Sequence, residues 1–402
     1  MARLGLGGGI ALAVIAVLLT LANASALPVV MDVRALLLAV SVAAGLLLAW
    51  SRRGARRQLT RTLVLVASAA MTIVAGATAW DLFVAYRVEQ VTFGSEGISL
   101  RGSLYLPRGE GPFPAVVLVH GSGEQPRDEY RYYARLYAKH GVAALAYDKR
   151  GAGESGGDFT SATYADFAAD AAAAVRMLRD RPDIRTDAVG LWGLSEGEWV
   201  APLAARLTQP AFVVLVSPSA MTPAEQVRYE TGASVRRAGF SDAQAREAEA
   251  LYRQLSEFQR SGTGRDALNR RLAAASREPW FEAAENLEPS VPEYERVLAL
   301  PWFSAWRARM DFDALPIMAE LRCAVLAQAG GSDPQNDGAA ALARLREALE
   351  RGGNIAFTGI VYPDANHGII EWVLPFGLPP PRFAPGYLRA QVGWVIEQVN
   401  NR

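Results

Sequence analysis

A chain of 402 residues can bury a large core, and its apolar fraction of 51% is high, with the excess at the N-terminus. Acidic and basic residues balance at 41 each, which excludes a basic face of the kind that binds nucleic acid. A single cysteine, Cys323, excludes an internal disulfide framework and a Cys-rich zinc site; it reads as a small core residue at the start of a strand.

The first 86 residues predict a membrane segment. Residues 4–22, 35–50 and 62–80 are uncharged and almost wholly apolar. About 20 helical residues cross a hydrocarbon core of about 30 Å. Arginines crowd the stretch 51–61 between the second and third runs, and such a cluster stays in the cytoplasm. The third helix then exits on the far side. This places residues 87–402 outside the cytoplasm, periplasmic if the membrane is a bacterial inner membrane, and makes the lipid bilayer a partner. A cleaved signal peptide over the first run is an alternative, suggested by Arg3 and the small residues Ala24, Ser25 and Ala26. It leaves the topology of the rest unchanged.

After residue 86 the pattern becomes that of an α/β domain. Residues 88–93 and 98–106 predict two strands around a turn. The short valine-rich run 114–120 suits a strand buried on both faces. Residues 128–140 predict a helix, 142–147 a strand, 164–179 a helix, 188–192 a strand, 195–207 a helix and 212–217 a strand. That alternation implies a mostly parallel sheet with helices on both faces. The rhythm breaks at 223–314, a charged helical block read as a lid inserted between two strands. It resumes with strands at 324–329 and 355–362 and helices at 339–350 and 387–399.

The candidate chemistry follows the same order. His120-Gly-Ser-Gly123 comes just after a strand, and its loop can turn the Ser122 N–H toward a substrate oxygen; His120 itself is read as tying the loop down. Gly193-Leu-Ser-Glu-Gly197 joins a strand to a helix, the context in which Ser195 projects a nucleophilic hydroxyl above the sheet. The Glu196 N–H is the second oxyanion donor. Only three histidines exist, and the base must be one of them. His140 ends a helix and suits capping, whereas His367 lies in a polar loop directly after a strand. Asp333, in the loop after strand 324–329, is the acid, with Asp337 and Asp364 in reserve. Asp148 and Arg150 are read as a buried ion pair bracing the loop after their strand. Trp302, Phe303 and Trp306, in the lid block, either line an acyl pocket or pack the lid. The lysines are only two, Lys139 and Lys149, in a chain otherwise basic through arginine, which is read as compositional bias.

The stretch from Ala146 to Asp158, with His120-Gly-Ser-Gly123, Val189 to Ser195 and Asn366-His-Gly368, resembles bacterial α/β-hydrolases of the esterase and serine-aminopeptidase-like, lysophospholipase-like branch. The resemblance runs from about Val88 to the C-terminus. It implies an α/β-hydrolase fold and hydrolysis of a small-molecule carboxylic ester by Ser195, Asp333 and His367, with no metal and no cofactor. One departure stands out: Glu198 occupies a position where many relatives have glycine, which puts added negative charge near the oxyanion. Peptidase and thioesterase activities on the same fold remain alternatives, as does a catalytically silent membrane-anchored binding module.

Overall fold

The computed structural model describes residues 85–371 and 382–401. The three apolar runs expected to cross a membrane lie outside them. Among the described residues no helix is long and apolar enough to do so. The chain divides into two compact units, residues 1–87 with 371–383 and residues 88–370 with 384–402; the second carries the features that follow.

Eight strands form one sheet: β1 (Tyr86–Ser95), β2 (Ile98–Pro107), β3 (Phe113–Val119), β4 (Ala143–Tyr147), β5 (Ile184–Leu194), β6 (Phe212–Val216), β7 (Ala324–Gly330) and β8 (Phe357–Tyr362). Their order is 1-2-4-3-5-6-7-8. Strand β2 pairs antiparallel with β4, and every pairing from β4 through β3, β5, β6 and β7 to β8 is parallel. This is the expected α/β-hydrolase architecture. The central strands read as unbroken apolar runs because both faces are covered: all five residues of β4 and of β6 are buried.

Alternation along β5 shows the two layers. Val189 and Leu191 face a core shared with α2 (Tyr164–Arg179) and α3 (Gly197–Thr208), whereas the Trp192 ring packs at 4.6 Å from Tyr133 of α1 (Arg131–Lys139). Helix α2 starts where expected, because Thr163 and Asp166 make a reciprocal capping box. The helix expected from 128 opens instead with a 3-10 turn, Arg127–Tyr130, before α1. Strand β5 begins four residues earlier than expected. Its first turn carries exposed Thr186 and Asp187, so apolarity alone could not reveal it. Cys323 is buried in the sheet core.

The inserted block holds helices α4 (Pro223–Arg237), α5 (Asp242–Ser261), α6 (Arg265–Ala275), α7 (Tyr294–Leu298) and α8 (Phe303–Arg309), with a core of its own around Leu251, Phe258 and Leu272. Phe303 belongs to that core and is wholly buried. Trp306 packs against the same cluster, and its indole N–H donates to Gln259 Oε1 at 3.1 Å. Trp302 is 50% exposed. Phe303 thus has no surface to offer an acyl chain: of the two readings of these rings, packing within the lid describes it. The short helix α9 (Leu315–Met318) leads back into the sheet core, and α10 (Gly338–Arg351) and α11 (Tyr387–Asn400) complete the covering layers.

Candidate active site

The loops at the C-terminal ends of the parallel strands β3, β5, β7 and β8 carry the predicted groups: Ser122, Ser195 with Glu196, Asp333 and His367. Ser195 stands on the turn between β5 and α3 at φ 51, a left-handed backbone that costs a non-glycine residue about 1–2 kcal/mol. The turn is pinned by the Ser195 N–H donating to Val216 O at 2.9 Å. It is possible only because Gly193 and Gly197 lack side chains. A Cβ at Gly193 would stand 2.6 Å from the Gly197 carbonyl oxygen, and one at Gly197 would stand 3.2 Å from that of Val119.

Asp333 and His367 meet directly. The His367 Nδ1–H donates to Asp333 Oδ2 at 2.8 Å, and the other carboxylate oxygen accepts from the Gln335 N–H at 2.8 Å. The Asp333 side chain is fully buried. A carboxylate oxygen can only accept here, so Nδ1 carries the proton and Nε2 keeps its lone pair. That Nε2 is buried and has no hydrogen-bond partner among the described residues, so Ser195 and His367 are not bonded to each other in this state. The two loops are stitched together: the Ser332 N–H donates to Ala365 O at 3.0 Å, and a Cβ at Gly330 would stand 2.4 Å from the same oxygen. Asn366 shapes the histidine turn by accepting the Gly368 and Ile370 N–H groups on its Oδ1. The Ser217 hydroxyl, at the end of β6, donates to the His367 carbonyl at 2.5 Å. Ser195, Ser217, Ala220 and Ile369 all have positive φ. Backbone strain of this kind gathers where surrounding structure must impose a geometry, and the β-branched Ile369 is the most unusual of the four.

The reserve acids lie elsewhere. Asp337 caps α10 through the Ala340 N–H at 3.0 Å, and Asp364 is exposed. His120 is buried, and its Nε2–H donates to Tyr147 O. Burial first, then the nearby Lys149 charge, pulls its pKa down to about 3, so it serves as a neutral tie. His140 donates from Nδ1 to Leu136 O at 2.8 Å, closing α1.

One reading requires correction. Asp148 and Arg150 do brace the loop after β4, but not with each other. Asp148 pairs with Arg127 at 2.9 Å and accepts the Glu154 N–H, while Arg150 pairs with Asp170 at 2.7 Å. The chain turns at Gly151 and Gly153, both at positive φ, and the two side chains diverge; a Cβ at Gly153 would collide with the Asp148 carboxylate. The Glu198 carboxylate, in turn, is buried and fully hydrogen-bonded. It accepts from the Ser219 N–H at 2.8 Å, the Ala220 N–H at 2.8 Å and the Ser219 hydroxyl, tying α3 to the loop after β6. Burial outweighs those hydrogen bonds and raises its pKa to about 7.

That shift sets a pH dependence. An acid whose folded pKa lies above its unfolded value keeps its proton longer in the native state. Unfolding therefore becomes easier as pH rises from about 4.5 to about 7. The full cost is about 3 kcal/mol at most. Glu198→Gln should gain stability relative to the wild type between pH 5 and pH 8, read by urea denaturation at both. An equal difference at the two pH values would show a carboxylate ionised in both states.

The side chains that sequence reasoning missed surround Glu196. Its carboxylate is buried against the Lys149 ammonium, with Arg309 of α8 at 3.9 Å from the other oxygen. The Glu196 charge is thus partnered twice. The signal was present: Lys149 is one of two lysines among 41 basic residues, and it had been set aside as bias.

The sequence pattern of the X-Pro dipeptidyl-peptidase family (S15) matches residues 96–348, more than half of the chain. Among curated proteins, Esterase EstD of Thermotoga maritima is 35% identical over 135 residues, 32% of each chain. Thiohydrolase aneE of Aspergillus aculeatus is 35% identical over 108 residues, 25% of this chain and 31% of that one. The chain spans about a third of the length of these relatives. A solved esterase of Pyrococcus furiosus superposes over 79% of this chain and 91% of its own, with a TM-score of 0.47 and 16% identity. With its sheet in the α/β-hydrolase order, the chain belongs to the X-Pro dipeptidyl-peptidase (S15) family.

Proposed function

We propose that the protein is a serine hydrolase that cleaves carboxylic esters through an acyl-enzyme intermediate, with Ser195 as nucleophile, His367 as base and Asp333 as its partner. The observation that carries this reading is the state of His367: Nδ1 is committed to a fully buried carboxylate, and Nε2 is buried with its lone pair unused. An imidazole in that tautomer is a base waiting for a donor, and the strained hydroxyl of Ser195 stands on the same sheet edge.

In this mechanism Ser195 Oγ attacks the ester carbonyl and passes its proton to His367 Nε2. The oxyanion forms against the N–H groups of Ser122 and Glu196, neither of which serves a hydrogen bond among the described residues. Collapse expels the alcohol, which takes the proton back from Nε2. Water then repeats the cycle on the acyl-enzyme. Asp333 stabilises the imidazolium formed in each half and stays ionised throughout.

The family match favours a second reading, cleavage of a peptide bond after an X-Pro pair, by the same groups. A substrate panel on the purified chain separates the two. Short p-nitrophenyl esters should turn over at least 100-fold faster, by kcat/KM, than X-Pro p-nitroanilides, and a fluorophosphonate should label the protein covalently. The reverse preference would assign a peptidase. A folded protein that neither labels nor turns over any substrate would leave a silent binding module.

A further inference from the structure

We propose that Lys149 is a positioning residue for the oxyanion hole, a buried ammonium that fixes the loop bearing the Ser122 N–H to the turn bearing the Glu196 N–H. The proposal rests on the reading of those two amides as the oxyanion donors.

The geometry is a tripod. Lys149 Nζ donates to Gly121 O at 2.8 Å, to Gly123 O at 3.2 Å and to the Glu196 carboxylate. An ammonium has three donors, and all three are used. Two go to the carbonyls on either side of Ser122, and the third goes to the residue that follows Ser195. Both charged side chains are almost fully buried, at 3% and 5% exposure.

The Gly121 carbonyl and the Ser122 N–H belong to one planar trans peptide unit and point in opposite directions. Holding the carbonyl on one side therefore aims the N–H on the other. A positive charge at the carbonyl end also polarises that peptide and makes its N–H a stronger donor. The loop needs such a tie, since Gly121 and Gly123 give it more freedom than other residues would. Phe159 and Phe167 wall the cation at 4.8 and 4.4 Å from their ring centres. Burial pulls the Lys149 pKa down and Glu196 pulls it back up.

This accounts for a lysine at 149 in a chain whose one other lysine is Lys139. A guanidinium is a planar fork suited to a carboxylate, whereas three acceptors around a point call for tetrahedral donors. The arginine nearby does the complementary work. Arg309, from the lid, donates to Ala162 O and approaches the second Glu196 oxygen, so that carboxylate keeps a cation when Lys149 is replaced.

The test is Lys149→Met in the full chain, with a p-nitrophenyl ester as substrate and a boronic acid as a mimic of the tetrahedral intermediate. We expect kcat to fall about 100-fold, the loss typical of one oxyanion donor. KM should stay within about threefold, the boronic acid should bind about 100-fold more weakly, and the shape of the pH–rate profile should not change. Lys149→Arg should restore less than a tenth of the lost rate. If Lys149→Met does not fold, the double variant Lys149→Met with Glu196→Leu removes both charges together, a change buried pairs often tolerate. It should show the same fall in kcat. A folded variant with kcat within threefold of the wild type, or a loss confined to KM, overturns the proposal. Retained turnover in Ser195→Ala would instead overturn the active-site reading and this proposal with it.

Discussion

Ser195→Ala should lower kcat by about 10⁶, to the residual rate that an oxyanion hole and substrate binding give without a nucleophile. The neighbouring Ser217 hydroxyl cannot take its place, because it is already committed to the His367 carbonyl. The fold should not suffer. Alanine meets the same backbone strain at φ 51, and among the described residues no hydrogen bond is lost with the Ser195 hydroxyl. Ser195→Gly sharpens the test. Glycine adopts that backbone without penalty, so this equally inactive variant should be more stable than the wild type by about 1 kcal/mol. Ester turnover and thermal unfolding on the two variants check both halves. Activity within a hundredfold of the wild type would move the nucleophile elsewhere. A Ser195→Gly variant less stable than the wild type would contradict the strained turn.

Asp333→Asn should cost about 10⁴ in kcat with KM little changed, as expected when an imidazole is held in the wrong tautomer. The reason lies in how both carboxylate oxygens are used. One accepts from His367 Nδ1 and the other from the Gln335 N–H. An asparagine has one acceptor and one donor group. If its oxygen serves Gln335, its amide N–H₂ faces Nδ1, which must then accept; the proton moves to Nε2 and the base is lost. If its oxygen serves His367, two donors face each other at Gln335 in a fully buried site. The side chain is fully shielded from bulk solvent. Steady-state kinetics decides the matter, and a loss under tenfold would show that another group orients His367.

Much of the fold was legible locally. Uninterrupted apolar runs such as 212–216 mark strands covered on both faces. The Thr163–Asp166 capping box marks the start of α2, and Gly193-Leu-Ser-Glu-Gly197 marks the strained turn before α3. The exceptions share a cause. The polar start of β5 and the 3-10 turn before α1 owe their form to neighbours rather than to their own periodicity. The site divides the same way. Ser195, Asp333 and His367 could be named because each sits at a fixed place after a strand. The partners of charged side chains could not. Asp148 and Arg150, two residues apart, bind different elements, the 3-10 turn before α1 and helix α2, and Lys149 between them reaches Glu196, 47 residues on.

By itself the sequence determined the strand–helix rhythm, the strained turn at Ser195 and the loops that carry Asp333 and His367, since these depend on backbone geometry and on residues near in the chain. The tertiary structure decided which buried charges neutralise which, that Phe303 packs inside the lid, and that Glu198 ties α3 to the loop after β6. Burial makes the partner of a charge a matter of distance in space, and distance in space is what a pattern along the chain does not encode.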